Sequence, residues 1–459
     1  MLKHLLRGGG SSLDGNSWVV TLGGSIAADD SDFGQSVAIG PDGSVYVCGY
    51  TNPANAYSYV KDGFIAKFDS SGTLQWQKTL VGKYEEISNS VAVGPDGSVY
   101  VCVYQYDAYG NLTACPVVKF DSSGKLQFQK SLGWSKNIYG QSVAVGPDGS
   151  VYVCGYMYSA DYSSRYDCFI AKLDSSGALQ WQKKLHDPSE FSKSSSNQAI
   201  SVAIGPDGSV YVCGSTLVPI PNDIYNDRNV LIAKFDSSGV LQWQKTLGAS
   251  KLTLSNQETG TPVAVGPDGS VYVCGFTQSA GAGNADLLIA KFNSSGSIQW
   301  QKTIGERYAD QGFSVAVGPD GSVYVCGEIR DKNSPKYDCL IIKFNPSGTL
   351  QWQKNLVNVN TEPSSVAIGS DDSVYVCGSS ATNKSSWDLM LARITDADIN
   401  KSTVVYGPFT LQDVSVTTRN AYLSSETASL SVLNAGLSFS TSPLTIADAN
   451  YISKKYEGE

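Results

Sequence analysis

The chain of 459 residues carries 33 Lys and Arg against 42 Asp and Glu, and 41% of its residues are hydrophobic. This length allows several average domains or one large repeat architecture, and the apolar content suffices to fill a core. Because the net charge is −9 and no basic stripe is present, we expect no nucleic-acid partner. No stretch approaches the ~18 apolar residues that a membrane span needs.

The first residues, 1–15, are expected to form an N-terminal arm with a Gly/Ser linker (RGGGSS). The apolar run in this arm is too short for a signal-peptide core, and no small-residue cleavage site follows it. We therefore expect synthesis in the cytoplasm without export. Residues 18–24 (WVVTLGG) then form a strand-like segment that stands alone.

A repeat occupies most of the remaining chain. The segment GPDGSVYVC occurs six times and a seventh copy reads GSDDSVYVC. The distance between successive closing cysteines ranges from 51 residues (Cys326 to Cys377) to 61 residues (Cys213 to Cys274). Repeats of this length indicate a solenoid, a propeller or an array.

Each copy contains four strand-like segments. In the first copy these are residues 36–40 (SVAIG), 44–50 (SVYVCGY), 63–68 (GFIAKF) and 73–80 (TLQWQKTL), which we name strands A to D. Pro-Asp-Gly joins A to B and Asp-Ser-Ser-Gly joins C to D, and both are turn sequences. Because no segment combines a 3.6-residue apolar period with helix-capping residues, we expect antiparallel meanders with almost no helix.

The two ends of the repeat region favour a ring over a solenoid. The seventh copy supplies strands A, B and C, ending at residues 388–394 (DLMLARI), and no LQWQK segment follows. The WVVTLGG segment would complete this last blade and close the ring, which removes exposed sheet edges. Residues 403–406 (TVVY) are the alternative for the missing strand. We predict an all-β, closed seven-bladed β-propeller over residues 16–399.

Residues 400–459 lie outside the repeat. They are rich in Ser and Thr and contain strand-like stretches such as TVVYGPF and ASLSVLNAGLSFS. The segment is short for an independent core, so we interpret it as a β-rich C-terminal extension and a candidate docking segment.

The repeat unit, from SVAxGPDGSVYVCGYT to DGFIAKFDSSGTLQWQKTLGG, resembles the bacterial β-propeller repeat family (SBBP repeats) from about residue 18 to residue 394. This resemblance implies the propeller fold, but it does not specify a function, because propellers host scaffolds, lectins and enzymes. Family members usually carry a Thr-like residue where this chain has Cys48 and its equivalents. Many are exported, whereas no signal peptide is recognised here.

Seven of the ten cysteines occupy the same B-strand position, where a small apolar residue packs well in a core. The other three, Cys115, Cys168 and Cys339, each begin a C strand. Core packing is our first interpretation for the seven B-strand cysteines. The alternative is three hairpin disulfides, which would join Cys102 to Cys115, Cys154 to Cys168 and Cys326 to Cys339. The wide spacing of the cysteines does not match a zinc motif.

No catalytic arrangement stands out. His4 and His186 are the only histidines, so a Ser-His-Asp or Cys-His site would depend on His186. The Asp residues of the A–B turns recur in every full copy, which turn chemistry explains. The D-strand tryptophans are expected to pack between blades, with sugar stacking as the alternative. We therefore expect no enzymatic activity, no cofactor and no metal.

Variable loops indicate where binding occurs. In a meander the A–B and C–D turns share one face of the disc, here the turn face, and the B–C and D–A connections share the other, the loop face. The loop-face connections vary and are rich in tyrosine, a residue enriched at interfaces. The predicted binding residues in blades 1–3 are Tyr57, Tyr59, Tyr104, Tyr106, Tyr109, Tyr156, Tyr158, Tyr162 and Tyr166.

Two functional hypotheses follow. The first is a structural protein of a larger assembly, such as a phage virion, docked to a protein partner through its terminal segments. The second is an adhesin whose tyrosine face binds a carbohydrate or a host surface.

Overall fold

The computed structural model describes the repeat region with gaps at loops, and parts of the C-terminal extension. The described residues are 17–23, 31–52, 61–82, 85–106, 112–133, 138–158, 166–186, 196–219, 226–248, 258–278, 280, 285–305, 308–330, 337–357, 360–381, 387–414, 416, 418–420, 424–427, 431–433, 438–441, 445–448 and 452–457.

Each repeat forms one antiparallel sheet, and the seven sheets are the blades of a propeller. Blades 1 to 3 contain β2 (Ser31–Ile39), β3 (Val45–Asn52), β4 (Asp62–Phe68), β5 (Leu74–Val81); β6 (Glu86–Val93), β7 (Val99–Tyr106), β8 (Leu112–Phe120), β9 (Leu126–Gly133); and β10 (Ile138–Val145), β11 (Val151–Tyr158), β12 (Tyr166–Leu173), β13 (Leu179–His186). Blades 4 to 6 contain β14 (Asn197–Ile204), β15 (Val210–Pro219), β16 (Asn226–Phe235), β17 (Leu241–Gly248); β18 (Glu258–Val265), β19 (Val271–Thr277), β20 (Asp286–Phe292), β21 (Ile298–Ile304); and β22 (Gln311–Val317), β23 (Val323–Arg330), β24 (Tyr337–Phe344), β25 (Leu350–Val357). Blade 7 contains β26 (Asn360–Ile368), β27 (Val374–Ala381), β28 (Asp388–Ile394) and β1 (Trp18–Gly23). The A strands of neighbouring blades contact one another, so A is innermost.

The ring closes as the sequence predicts. Strand β1 pairs antiparallel with β28, with Trp18 opposite Arg393 and Leu22 opposite Leu389. At this seam the Thr395 backbone N–H donates to Ser17 Oγ at 2.8 Å. The alternative strand, residues 403–406, pairs elsewhere, so the N-terminal strand completes the last blade and the predicted seven-bladed propeller is confirmed.

Strand A extends further than the sequence pattern indicates. Strand β2 begins at Ser31 rather than at residue 36, and its pairing with β3 shifts between Gly34 and Ser36. A bulge of this kind inserts one extra residue and reverses the alternation of side chains. Because of the inserted residue, the first half of the strand does not continue the alternating pattern of the second half.

The A–B turns depend on a glycine with positive φ and an aspartate that binds the backbone. In blade 1, Gly43 has φ 76°, and Asp42 Oδ1 accepts a hydrogen bond from the Ser44 backbone N–H at 3.0 Å. Burial alone would raise the pKa of Asp42, but hydrogen bonds from Ser44 and the charge of Lys67 lower it overall. The seventh copy has Asp372 at the glycine position with φ 62°, a conformation that strains a residue with a Cβ.

The core lies between blades. One cluster, for example, joins Tyr46, Cys48 and Ile65 of blade 1 to Val101 and Phe120 of blade 2. All ten cysteines fall within the described residues, and all ten are buried free thiols. The Sγ atoms of Cys102 and Cys115 lie 3.5 Å apart. The B-strand cysteines therefore fill the space between adjacent blades.

The D-strand tryptophans connect adjacent blades at the turn face. The Trp76 indole Nε1 donates to the Ser122 carbonyl of blade 2 at 3.1 Å, and a Cβ on Gly124 would lie 2.8 Å from the Trp76 ring. Trp18 makes the same two contacts with Ser70 and Gly72 of blade 1. A tryptophan from one blade therefore lies beneath the C–D turn of the next, including across the ring closure.

The C-terminal extension wraps around the propeller. After the short helix α1 (Asp396–Ile399), a hairpin adds to blade 6, and single strands follow on the other blades. These strands are β29 (Thr403–Tyr406), β30 (Phe409–Asp413), β31 (Thr418–Asn420), β32 (Ser424–Thr427), β33 (Ser431–Leu433), β34 (Ser438–Thr441), β35 (Thr445–Asp448) and β36 (Ile452–Glu457). Apart from β29, which pairs with β30, each of these strands pairs with the D strand of one of the chain's own blades.

Candidate functional site

The loop face is formed by the starts of the A and C strands and the ends of the B strands. Four of the predicted tyrosines, Tyr57, Tyr59, Tyr109 and Tyr162, lie outside the described residues. The other five, Tyr104, Tyr106, Tyr156, Tyr158 and Tyr166, are half-buried at the loop-face ends of strands in blades 2 and 3.

Four of these five tyrosines belong to one aromatic group, joined by Tyr139. We define the tyrosine cluster as Tyr104, Tyr139, Tyr156, Tyr158 and Tyr166. Tyr139 stacks on Tyr156 with ring centroids 4.3 Å apart. The ring centroids of Tyr158 and Tyr166 are 4.7 Å apart. Tyr104 of blade 2 meets Tyr139 of blade 3 edge-on at 6.4 Å, so the cluster spans the boundary between these blades.

The strand register creates this cluster. Tyr139 pairs with Tyr156 across β10 and β11, and Tyr158 pairs with Tyr166 across β11 and β12. Directly opposed residues project from the same side of a sheet, as do residues two apart in one strand. Four tyrosines on three adjacent strands of blade 3 therefore share one surface at its loop-face end.

Hydrogen bonds orient three of the hydroxyl groups of the cluster. Tyr166 Oη donates to Tyr158 Oη at 3.0 Å, and Gln141 Nε2 donates to Tyr104 Oη. Desolvation, with the neighbouring Tyr166, raises the pKa of Tyr156 to about 12. The phenol of Tyr156 is therefore protonated at neutral pH and can donate or accept a hydrogen bond.

Tyr106 stands at the end of β7, where its backbone N–H donates to the Glu85 carbonyl at 3.0 Å. Desolvation and the charge of Glu85 raise the pKa of Tyr106. Desolvation and the neighbouring Tyr106 raise the pKa of Tyr104, so Tyr106 lies beside the tyrosine cluster at the loop-face end of blade 2.

A second aromatic group, which the sequence did not indicate, joins blades 7 and 1. Phe33 stacks on Tyr50 at 4.9 Å and on Trp387 at 6.3 Å. Lys61 Nζ lies 5.1 Å from the centre of the Tyr50 ring and 2.8 Å from Glu85 Oε1. Phe33 and Trp387 come from opposite ends of the repeat region, so only ring closure brings them together.

Charged groups occupy other sectors of the loop face. In blade 4, Arg228 Nη1 donates to Ser215 Oγ at 3.0 Å. In blade 6, the Arg330 guanidinium lies 5.8 Å from Tyr308 and 5.9 Å from Tyr337. The loop face therefore combines aromatic groups in blades 7, 1, 2 and 3 with arginines in blades 4 and 6.

Blades 6 and 7 add acidic groups to this face. Desolvation, together with the charges of Glu362 and Asp310, raises the pKa of Glu328 to about 7. Desolvation also raises the pKa of Glu362. Neither carboxylate belongs to the repeated turns, and residue-type patterns alone do not single out either one.

The described residues include no group of three or more His, Cys, Asp and Glu side chains placed to hold a metal ion. The side chain of His186, like the whole of His4, lies outside what the structure describes. The turn aspartates and the D-strand tryptophans take part in the turn and interblade contacts described above. Across the described part of the chain, no helix has the length and apolar character to cross a membrane.

Comparison with known proteins supports the propeller architecture. Residues 266–298 match a family model described as a domain of unknown function (DUF5122) beta-propeller. This match covers one part of the repeat region, and the resemblance to SBBP repeats stays a prediction.

Two proteins with similar sequences are much longer than this chain. Regulatory protein FlaEY of Caulobacter vibrioides is 26% identical over 250 residues, which cover 49% of this chain and 25% of that protein. The uncharacterized WD repeat-containing protein L264 of Acanthamoeba polyphaga mimivirus is 19% identical over 434 residues, covering 70% of this chain and 31% of that protein. The chain thus matches about a quarter and a third of their respective lengths.

Among solved structures, the β-propeller domain of the Trilobed protease from Pyrococcus furiosus resembles the chain with a TM-score of 0.45 and 10% identity. The match covers 81% of this chain and 97% of the protease domain.

Proposed function

We propose that the chain is a non-enzymatic interaction scaffold, a rigid disc that holds a partner on the loop face of blades 1 to 3. The tyrosine cluster carries this proposal. Its five rings come from four strands of two blades, and they stand at strand ends that the ring of blades holds rigid. Tyrosine offers a large contact area with few side-chain rotations to freeze, so such a surface favours binding.

The described strands of the C-terminal extension are already paired within the chain, which favours the loop face as the surface that binds a partner. Strands β31–β36 pair with the chain's own D strands. Docking through the terminal segments stays a prediction, and residues 1–15 lie outside the described part of the chain. A place in a larger assembly such as a virion accords with the free cysteines and with a mimivirus relative.

The second candidate is an adhesin for a carbohydrate or a host surface. The observation that favours it is the stacked pair Tyr139 and Tyr156, beside the hydrogen-bonded hydroxyls of Tyr158 and Tyr166. Sugars combine apolar ring faces with hydroxyl groups, and aromatic rings with fixed polar groups complement both.

The test compares full-length wild type with a double variant, Tyr158→Ser with Tyr166→Ser, as bait for a lysate and on a glycan array. The control is Val240→Ser, which removes a side chain that is 57% exposed beside a C–D turn of blade 4. We expect the double variant to bind at least ~10-fold more weakly, because interface tyrosines contribute ~1 kcal/mol or more each. Binding that survives the double change would refute the proposal, and so would an equal loss in the double variant and the control.

The same experiment separates the two candidates. A specific protein ligand lost by the tyrosine variant supports the scaffold in an assembly. A glycan ligand lost by the same variant supports the adhesin.

A further inference from the structure

The strands after the β29–β30 hairpin follow the blades in strict reverse order. We call residues 418–457, with strands β31–β36, the belt. Strand β31 pairs with blade 5, β32 with blade 4, β33 with blade 3, β34 with blade 2, β35 with blade 1 and β36 with blade 7. Together with β30 on blade 6, the tail therefore supplies one fifth strand to every blade.

Sheet twist explains this path. Adjacent strands rotate by ~20–25°, so four steps turn the fifth strand almost at right angles to strand A. Strand A follows the central axis, and the fifth position therefore runs around the rim. Each D strand leads toward the next blade, and the belt pairs antiparallel with it. An antiparallel belt must travel toward the preceding blade, which is the observed order.

The belt strands recur at a fixed interval along the chain. Strands β32 to β36 begin at residues 424, 431, 438, 445 and 452, which are seven residues apart. Seven extended residues span ~23–25 Å. The sequence has the same period, with a small or β-branched residue at one position and an apolar residue two positions later. These positions hold Val414, Ala421, Ala428, Ala435, Ser442 and Ala449, and Val416, Leu423, Leu430, Leu437, Leu444 and Tyr451.

The first crossing, from blade 6 to blade 5, shows how this pattern is recognised. Val416 is buried in the core cluster between these blades, and Val414 packs against the same cluster. Gln353 Nε2 of the D strand donates to the Val416 carbonyl at 3.2 Å. A glutamine stands at the same position in the other D strands of blades 1 to 6, at Gln77, Gln129, Gln182, Gln244 and Gln301.

Polar contacts reinforce the entry to the belt. The buried Lys354 ammonium lies 2.6 Å from Asp413 Oδ1, and Arg419 Nη1 donates to the Gly305 carbonyl of blade 5 at 2.9 Å. The belt ends on β36, which pairs with β1 along Trp18 to Gly23. Strand β1 is thus held on both edges, by β28 and by β36.

We propose that the rim of the propeller is a binding groove for an extended peptide with this seven-residue repeat, and that the chain's own tail is its ligand. The belt covers the D-strand edges and secures the strand that closes the ring. Exposed edges invite pairing with other chains, so an occupied rim also prevents edge-to-edge association.

Paired cysteine substitutions in the full-length protein test the position of the belt. The matched variant is Thr246→Cys with Glu426→Cys, two residues directly opposed between β17 and β32. The mismatched control is Thr246→Cys with Ala447→Cys, because Ala447 pairs with Thr79 in blade 1. Opposed strand residues lie within disulfide range, whereas residues on different blades do not.

Mild oxidation followed by thiol counting gives the result, since the ten native thiols are buried. We expect the matched variant to lose both new thiols within one chain, and the control to keep both. Equal loss in the two variants would overturn the proposed path. A bond that joins two chains would show that a second copy supplies the belt and would overturn the assignment to the chain's own tail.

A cleavage experiment tests the groove itself. A specific protease site placed after the exposed Gly407, in the turn between β29 and β30, is cut after the full-length protein has folded. We expect the released segment to co-elute with the propeller and to exchange with a synthetic 408–459 peptide but not with a scrambled one. Immediate separation of the segment from a folded propeller would overturn the proposal.

Discussion

Ring closure depends on a close contact between Trp18 and Gly72, which a pair of glycine substitutions can measure. Gly43 and Gly72 have nearly equal positive φ angles of 76° and 78°. A Cβ on Gly43 would meet nothing within 4 Å, whereas a Cβ on Gly72 would lie 2.8 Å from the Trp18 ring. Gly43→Ala is therefore a control for the backbone cost alone.

The two effects can be estimated separately. Alanine at positive φ costs ~1–2 kcal/mol in either position. Displacing the indole adds ~1–3 kcal/mol for Gly72→Ala, because overpacking in a packed site strains its neighbours. We expect the free energy of unfolding to fall by ~1–3 kcal/mol more for Gly72→Ala than for Gly43→Ala.

Urea unfolding followed by tryptophan fluorescence measures this difference. Gly124→Ala and Gly97→Ala repeat the comparison at the boundary of blades 1 and 2, where Trp76 takes the place of Trp18. Equal destabilisation by Gly43→Ala and Gly72→Ala would refute the conclusion that the Trp18 ring packs closely against Gly72 of blade 1.

Three further predictions concern single sites. Asp372→Gly removes the side chain from a position with φ 62°, so it should relieve backbone strain and raise the free energy of unfolding in urea by ~1 kcal/mol. An unchanged value would show that the turn is not strained. Because the pKa of Glu328 is raised to about 7, the folded protein loses stability as the pH rises from ~4.3 toward that value. The free energy of unfolding of Glu328→Gln, measured in urea, should therefore equal that of wild type near pH 4 and exceed it by ~1 kcal/mol at pH 8, after solvent screening. A difference between the two proteins that does not change with pH would contradict this. The ten buried thiols should resist a thiol reagent in the native protein and all react in denaturant; rapid reaction of Cys115 would show that blade 2 opens.

The sequence was sufficient to predict the strands of each blade and the way in which the ring closes. Seven copies of one turn sequence defined the meanders, and the unpaired WVVTLGG segment identified the strand that completes blade 7. Each of these features is local, since turn chemistry and strand alternation act within a few residues. The bulge at Gly34 is local too, but it interrupts the alternation and so hides the start of β2.

The candidate site was harder to predict because its neighbours are distant in sequence. Tyr156 and Tyr158 follow from a tyrosine-rich loop, but their contact with Tyr139 depends on strand register. Phe33 and Trp387 meet only where the ring closes. Besides desolvation, part of the pKa shift of Glu328 likewise comes from another blade, through the charge of Glu362. The path of the tail had a detectable signal, the seven-residue period after Val414, but its meaning depends on the blade rim.

Hydrogen exchange of the full-length protein, with and without a ligand captured by wild type and lost by the tyrosine variant, tests the loop-face proposal most directly. We expect the ligand to slow exchange at the loop-face ends of β10, β11 and β12, around Tyr139, Tyr156 and Tyr166. Protection confined to the C–D turns, on the opposite face of the disc, would contradict it.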